Sequence, residues 1–460
     1  MDKLRSAAEK LEKFNSSGCY SILLFAAACV FMIIDREVIG VYALAAMVSF
    51  TLIVSDDLLP GLEGMLVICC FAIRCKNSGP EFFALWPLGI PTAVFFISRF
   101  IVYRPKLRRL SFLPGMAAVS AAILLGGAGI IYWKSYFSPT SLFYMFSLGA
   151  GMMLLVSYIA TYLNPERGYD FARRFSMIHI TPIFTLCFAL FQEYASRFDE
   201  FSQNFSVIPF QWRNNAATIL MMCMPFAFYL AAGKYSRTFI GLLDYIAILF
   251  TGSRGGLIFG TAEIIICLTL MLIIDRKHRK YNLITIGVCA LAVILASRIL
   301  MEIISYTIRR MLDPDENSIR IRLMERGIED FKANPLFGRG IGYMGNRDIH
   351  HSAKHTLCWY HCSVIQVIAS MGITGVAAYT FLNIQRIRCF VKNISFFSLI
   401  LFTAFIGLEM MSLVNPGVFA PFPYLMFATI YFAAMECCGK SGKSLKEMMK
   451  GAENESIDNR

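Results

Sequence analysis

Residues 350–363 read HHSAKHTLCWYHCS and hold four of the chain's six histidines, His350, His351, His355 and His361, with Cys358 and Cys362 among them. Three kinds of chemistry suit such a stretch. His351 and His355 are four apart, one face of a helix, and His361 or a cysteine would complete a zinc set. One imidazole could instead serve as a general base that takes a proton from an attacking hydroxyl. The third reading is a polar loop with no chemistry. The spacing matches no standard zinc signature. The DxD of DPDE, 313–316, would suit Mg²⁺, but Pro314 puts it in a turn before a helix, where an acidic residue also caps.

The elements that must position these residues are membrane helices. Of 460 residues, 57% are hydrophobic and 16% charged, against about 25% charged in soluble domains. Apolar runs of about 16 to 24 residues recur almost end to end, each able to cross roughly 30 Å of hydrocarbon as a helix. The fold class expected is therefore all-α and polytopic, with about 12–14 spans and one long hydrophilic segment, residues 299–361. The first apolar run follows a tail with Glu9 and Glu12 and lacks a small-residue cleavage site, which suits a retained helix.

A net charge of +12 would fit nucleic acid, but its distribution fits orientation. Arg104, Lys106, Arg108 and Arg109 share one short loop, and Arg167, Arg173 and Arg174 the next but one. Arg276, Lys277, Arg279 and Lys280 continue the series, followed by Arg386, Arg388 and Lys392. By the positive-inside rule these loops and both termini are cytoplasmic, and 299–361 is external. Asp56 and Asp57 inside, with Arg74 and Lys76 outside, run against the rule. Fourteen cysteines without a CxxC read mostly as small apolar packing residues. Glu263 and Glu409 fall within spans, where a carboxyl needs a cavity or a partner.

Within the external segment, SIRIRLMERGIEDFKANP predicts an amphipathic helix stopped at Asn334-Pro335. Ile321, Met324, Ile328 and Phe331 would form its apolar face. Arg322 and Arg326 lie opposite beside Glu325 and Glu329, and Arg320 sits at the rim. The following NPLFGRGIGYMG has glycines at 338, 340, 342 and 345, which serve either a tight turn or N–H groups aimed at an anion.

Four motifs together resemble the O-antigen ligase family of membrane glycosyltransferases. They are RNNAATILMMCMP (213–225), TGSRGG (251–256), Arg320 fifteen residues ahead of the proline of NPLFGRGIG, and YHCSVIQVIASMGITG. Cys362 departs from the family's usual asparagine after the histidine. The resemblance implies transfer of a glycan from an undecaprenyl-pyrophosphate carrier to an acceptor hydroxyl, such as that of a lipid A-core sugar in lipopolysaccharide synthesis. This would occur at the outer face of a bacterial inner membrane, without cofactor or metal. Arg254 and Arg320 would take up charge on the departing pyrophosphate, Arg213 and Arg339 would add substrate contacts, and His361 would act as base. The expected layout is N-terminal helices over 1–209, a ligase-like core over 210–382, further helices over 383–436 and a cytoplasmic tail over 437–460. The expected partners are the lipid-linked donor, a glycan or glycolipid acceptor and membrane lipids, with no nucleic acid. A polysaccharide polymerase, with a second carrier-linked glycan as acceptor, is the nearest alternative. A lipid-linked oligosaccharide flippase is the rival from another class. It would show two similar halves with charge along a central cavity, whereas this chain concentrates its polar chemistry in one segment.

The orientation is testable by cysteine labelling in a cysteine-free background. A cysteine at position 345 should react with an impermeant reagent in intact spheroplasts, and one at 278 only after permeabilisation; the reverse pattern would invert the topology.

Overall fold

The computed structural model describes residues 2–74, 89–106, 108–127, 139–163, 171–204, 207, 210, 212–232, 234–295, 297–341, 343, 349, 359–392, 394–419 and 421–437. His350, His351, His355 and Cys358, and the tail beyond 437, lie outside them. The described elements are helices, and the protein is an all-α polytopic membrane protein. Among the described residues six helices are long and apolar enough to span: Glu37–Val54, Ser141–Tyr162, Phe171–Ser196, Arg213–Ala231, Gly256–Ile274 and Ser363–Lys392. A bent pair, Glu9–Asn15 with Gly18–Ile33, adds a seventh, and six shorter apolar helices fill in between.

Helix Arg213–Ala231 is the hub. Apolar on all sides, it is buried from Ala216 to Phe228, as expected for a helix enclosed by others. It packs against Ile180–Ser196, Thr238–Phe250, Thr261–Ile274 and Phe396–Ser412. Its length sets the two ends of the core: nineteen residues at 1.5 Å each give about 28 Å. Arg213 stands at one end, and the basic loops gather at the other. There Thr238 Oγ1 donates to Asn282 Oδ1 (2.8 Å), joining the loop before Thr238 to the one after Asp275. Of the charges that run against the positive-inside rule, Asp57 and Arg74 have partners: Arg174 pairs with Asp57 at 3.0 Å, and Arg74 donates to Gln192 Oε1 at 2.8 Å; Lys76 lies outside the described residues.

The described part of the 299–361 segment is largely helical as far as Ala333. Helix Ser297–Leu312 is followed at once by Pro314–Ala333, with Pro314 at the first helical position, where its missing N–H costs nothing. The buried line of this second helix is not the expected one. Ile321 and Ile328 are exposed, while Leu323, Gly327 and Asp330 are buried. Gly327 explains the rotation: a Cβ there would collide with Ile365 and lie 3.0 Å from the Tyr360 ring. The helix docks through its smallest residue, and Arg320, one turn before Leu323, turns inward with that line.

Helix Ser363–Lys392 breaks at Gly372 (φ 59°, ψ −152°), backbone that only glycine adopts readily. The break strands N–H and C=O groups, and the glycine-rich loop meets them. Arg339 N donates to Ala369 O (2.7 Å), Gly340 N to Ser370 O (2.9 Å) and Ile373 N to Pro335 O (2.9 Å). A Cβ on Gly372 would sit 2.5 Å from the Pro335 carbonyl. Of the two uses open to these glycines, the amides of 339 and 340 therefore serve backbone pairing. Gly372→Ala should cost on the order of 2–3 kcal/mol, read as a lower thermal midpoint and less inserted protein. Gly287→Ala, with open space around it, should stay within about 0.5 kcal/mol.

Candidate functional site

At the Arg213 end of the hub, a narrow cleft is lined by Arg213, Asn214, Arg254, Gly255, Arg310, Arg320, Val414 and Asn415. Among these described residues four are arginines and none is acidic. Two helix starts converge there. Arg213 opens its helix. Arg254 opens another, which Ser253 caps by accepting from Gly256 N (3.2 Å), as a serine at this position does. Gly252, with φ +61°, makes the turn into that cap. Ser253 Oγ also donates to Asn214 Oδ1 (2.9 Å), so the two starts are tied side by side. The positive ends of both helix dipoles face the same anion-sized space.

Arg310 comes from the last turn of helix Ser297–Leu312. Arg254 Nη1 donates to its carbonyl (2.9 Å), which the helix end leaves without a helical partner. Arg310 Nη1 in turn reaches the Gly252 carbonyl at 3.4 Å. Tyr424 fixes the neighbouring Asn215 by donating to its Oδ1 (2.5 Å). The arginines thus stand on helix ends braced by hydrogen bonds, with their positive edges toward one cleft.

Three of the five expected residues, Arg213, Arg254 and Arg320, meet in this cleft. Arg310 and Asn415 join them without having been singled out. Arg310 carried a signal as a basic residue at a helix C-terminus, but the sequence gives no reason to prefer it to Arg309. Arg339 lies elsewhere: its Nε is 3.3 Å from Asp330 Oδ1, and its guanidinium lies over the Tyr343 ring, 5.5 Å from the centroid. Asp330 also accepts from the Tyr360 hydroxyl (2.7 Å). Burial pushes the Asp330 carboxyl above the usual carboxylate range, against the pull of Tyr360 and Arg339.

His361 is not among the residues lining the cleft. It follows Tyr360 with φ +53°, two residues before helix Ser363–Lys392. Cys362 is the residue ahead of that helix, and its carbonyl accepts the first helical bond, from Gln366 N (2.8 Å). An asparagine there would add a side-chain cap, the contribution this chain forgoes. Asp330, the anchor of Tyr360, lies ten residues beyond Arg320 on one helix, roughly 15 Å. Among the described residues no group of three or more metal-binding side chains gathers.

Residues 239–380 match the sequence model of the family described as O-antigen ligase. The match spans 142 of the chain's 460 residues, and this segment is similar to that family. The matched segment contains Arg254, Arg310, Arg320, Arg339 and His361, whereas Arg213 and Asn415 reach the same cleft from outside it. Comparison with curated proteins gives no match.

A cleft lined by four guanidinium groups at two helix starts should bind a multivalent anion. Titration of the purified protein with inorganic pyrophosphate should saturate, and Arg310→Ala or Arg320→Ala should each weaken Kd about tenfold, one charge-assisted hydrogen bond's worth. Arg322→Ala, on an exposed part of the same helix, should leave Kd within twofold.

Proposed function

We propose that the protein is a membrane glycosyltransferase that moves a glycan from an undecaprenyl-pyrophosphate carrier to an acceptor sugar hydroxyl at the external face of a bacterial inner membrane. The observation that carries this is the convergence of Arg213, Arg254, Arg310 and Arg320 in one cleft at two helix starts, three of them within the O-antigen ligase match. Breaking the glycosidic carbon–oxygen bond leaves the electron pair on the carrier's pyrophosphate. Guanidinium groups meet that charge with paired, permanently ionised donors matched to phosphate oxygens. Their helix-end mounting means little reorganisation as the charge develops.

The acceptor oxygen attacks the anomeric carbon from the side opposite the pyrophosphate, inverting its configuration with no covalent enzyme intermediate. Its proton passes to neutral His361, which later releases it to solvent. In this reading the pyrophosphate lies at the arginines and the acceptor toward the His361 turn. The lipid tail of the donor runs along the exposed apolar helix faces. Both termini are assigned to the cytoplasm, and the core is assigned to 210–382, flanked by helical regions on either side. The acceptor in this reading is a glycolipid of lipopolysaccharide type.

Transfer from a radiolabelled carrier-linked glycan, by the purified protein in liposomes, tests the reading. Arg254→Ala, Arg320→Ala and His361→Ala should each cut the rate about a hundredfold, near 3 kcal/mol in the transition state, at normal abundance. Arg320→Lys should fail substantially too, because an ammonium lacks the two-point grip. Arg322→Ala and Arg326→Ala, the latter 3.4 Å from Glu329, should cost well under 1 kcal/mol. An essential Arg322 with a dispensable Arg320 would overturn the assignment.

The arginines make a metal unnecessary for neutralising the pyrophosphate, so transfer should persist in EDTA and ignore added Zn²⁺ or Mg²⁺. Loss in EDTA restored by a single metal would return the histidine cluster and DPDE to consideration.

A further inference from the structure

A second buried polar cluster contributes no residue to the cleft. Tyr360 is held at both ends: its hydroxyl donates to Asp330 Oδ2 (2.7 Å), and its amide donates to Gln366 Oε1 (3.2 Å). Gln366 Nε2 in turn donates to Ser370 Oγ (2.9 Å), two residues before the Gly372 break. The Tyr360 ring fills the space left by Gly327, one turn ahead of Asp330. Asp330 and Tyr360 are 3% and 2% exposed, an unusual depth for a carboxylate unless it is partnered. Arg339 supplies the countercharge at 3.3 Å.

Between two anchored neighbours, His361 has little freedom. Tyr360 is pinned before it, and the Cys362 carbonyl is engaged by Gln366 N (2.8 Å) after it. His361 takes φ +53°, a backbone that a residue with a Cβ rarely adopts. Local geometry does not favour that conformation, so the flanking bonds must impose it.

We infer that Tyr360 and Asp330 are positioning residues, which hold the His361 turn in its left-handed conformation and so aim the imidazole at the acceptor hydroxyl. Arg339 belongs to this device as the partner of Asp330. The inference rests on the reading of His361 as the base. It goes beyond that reading by assigning the imidazole's orientation to a hydroxyl–carboxylate bond between the Arg320 helix and the re-entering chain.

Tyr360→Phe removes only the hydroxyl and keeps the ring in its socket. In the liposome assay kcat should fall about tenfold, with donor KM within twofold and abundance unchanged. Asp330→Asn, whose amide oxygen still accepts from Tyr360, should lose less than threefold, whereas Asp330→Leu should match Tyr360→Phe. The deciding comparison repeats Tyr360→Phe in a His361→Ala background. A residue acting through His361 then changes the residual rate by less than twofold. A tenfold loss in both backgrounds, or no loss in the parent, overturns the positioning role alone. A His361→Ala protein with full activity overturns the base assignment and the positioning role together. If Tyr360→Phe proves poorly folded, the Asp330→Asn and Asp330→Leu pair in both backgrounds decides by the same criteria.

Discussion

Four guanidinium groups at one cleft repel each other, and the fold must hold them there. Two unit charges about 4 Å apart cost about 4 kcal/mol at an effective dielectric near 20. Backbone carbonyls brace two of them: Arg254 donates to the Arg310 carbonyl, and Arg310 to that of Gly252. A carboxylate lining the cleft would neutralise the site before any substrate arrived. Carbonyls at helix ends offer an alternative, because their lone pairs are already free of helical partners.

This constraint organises the rest of the core. The arginines stand at ends of helices, so the helix ends themselves must be fixed. The hub helix fixes Arg213, and the Ser253 cap and its bond to Asn214 fix Arg254. Arg320 depends on the docking of helix Pro314–Ala333, which uses Gly327 and Asp330 against Ile365 and Tyr360. That contact in turn requires helix Ser363–Lys392 to break at Gly372 and accept the 335–340 loop. A glycine far from the cleft therefore supports the position of an arginine within it.

The all-helical membrane fold was legible in the apolar runs and in the low charged fraction. Arg213, Arg254 and Arg320 were legible because each stands in a motif with fixed spacing. Arg310 and Asn415 were not, since their meeting with Arg254 exists only after segments well separated in sequence, 56 residues apart for Arg310 and farther for Asn415, have packed. The apolar face of Pro314–Ala333 was misread for a physical reason. Beside a membrane, an exposed Ile321 or Ile328 loses nothing by facing lipid, so periodicity does not separate protein-facing from lipid-facing residues. The buried line instead follows the small residue that lets two backbones approach. The glycines of 338–345 show a similar limit: composition allowed an anion nest or a tight turn, and the broken helix uses the Arg339 and Gly340 amides for pairing.

The central claim is that the arginine cleft receives the carrier's pyrophosphate. A structure of the protein in a lipid nanodisc with the carrier-linked donor bound tests it most directly. The account predicts both phosphates at the cleft, with oxygens about 2.7–2.9 Å from guanidinium nitrogens of Arg254, Arg310 and Arg320, and the anomeric carbon toward His361. Pyrophosphate density on the opposite face of the bundle, beside the basic residues Arg276, Arg279 and Lys280, would contradict it.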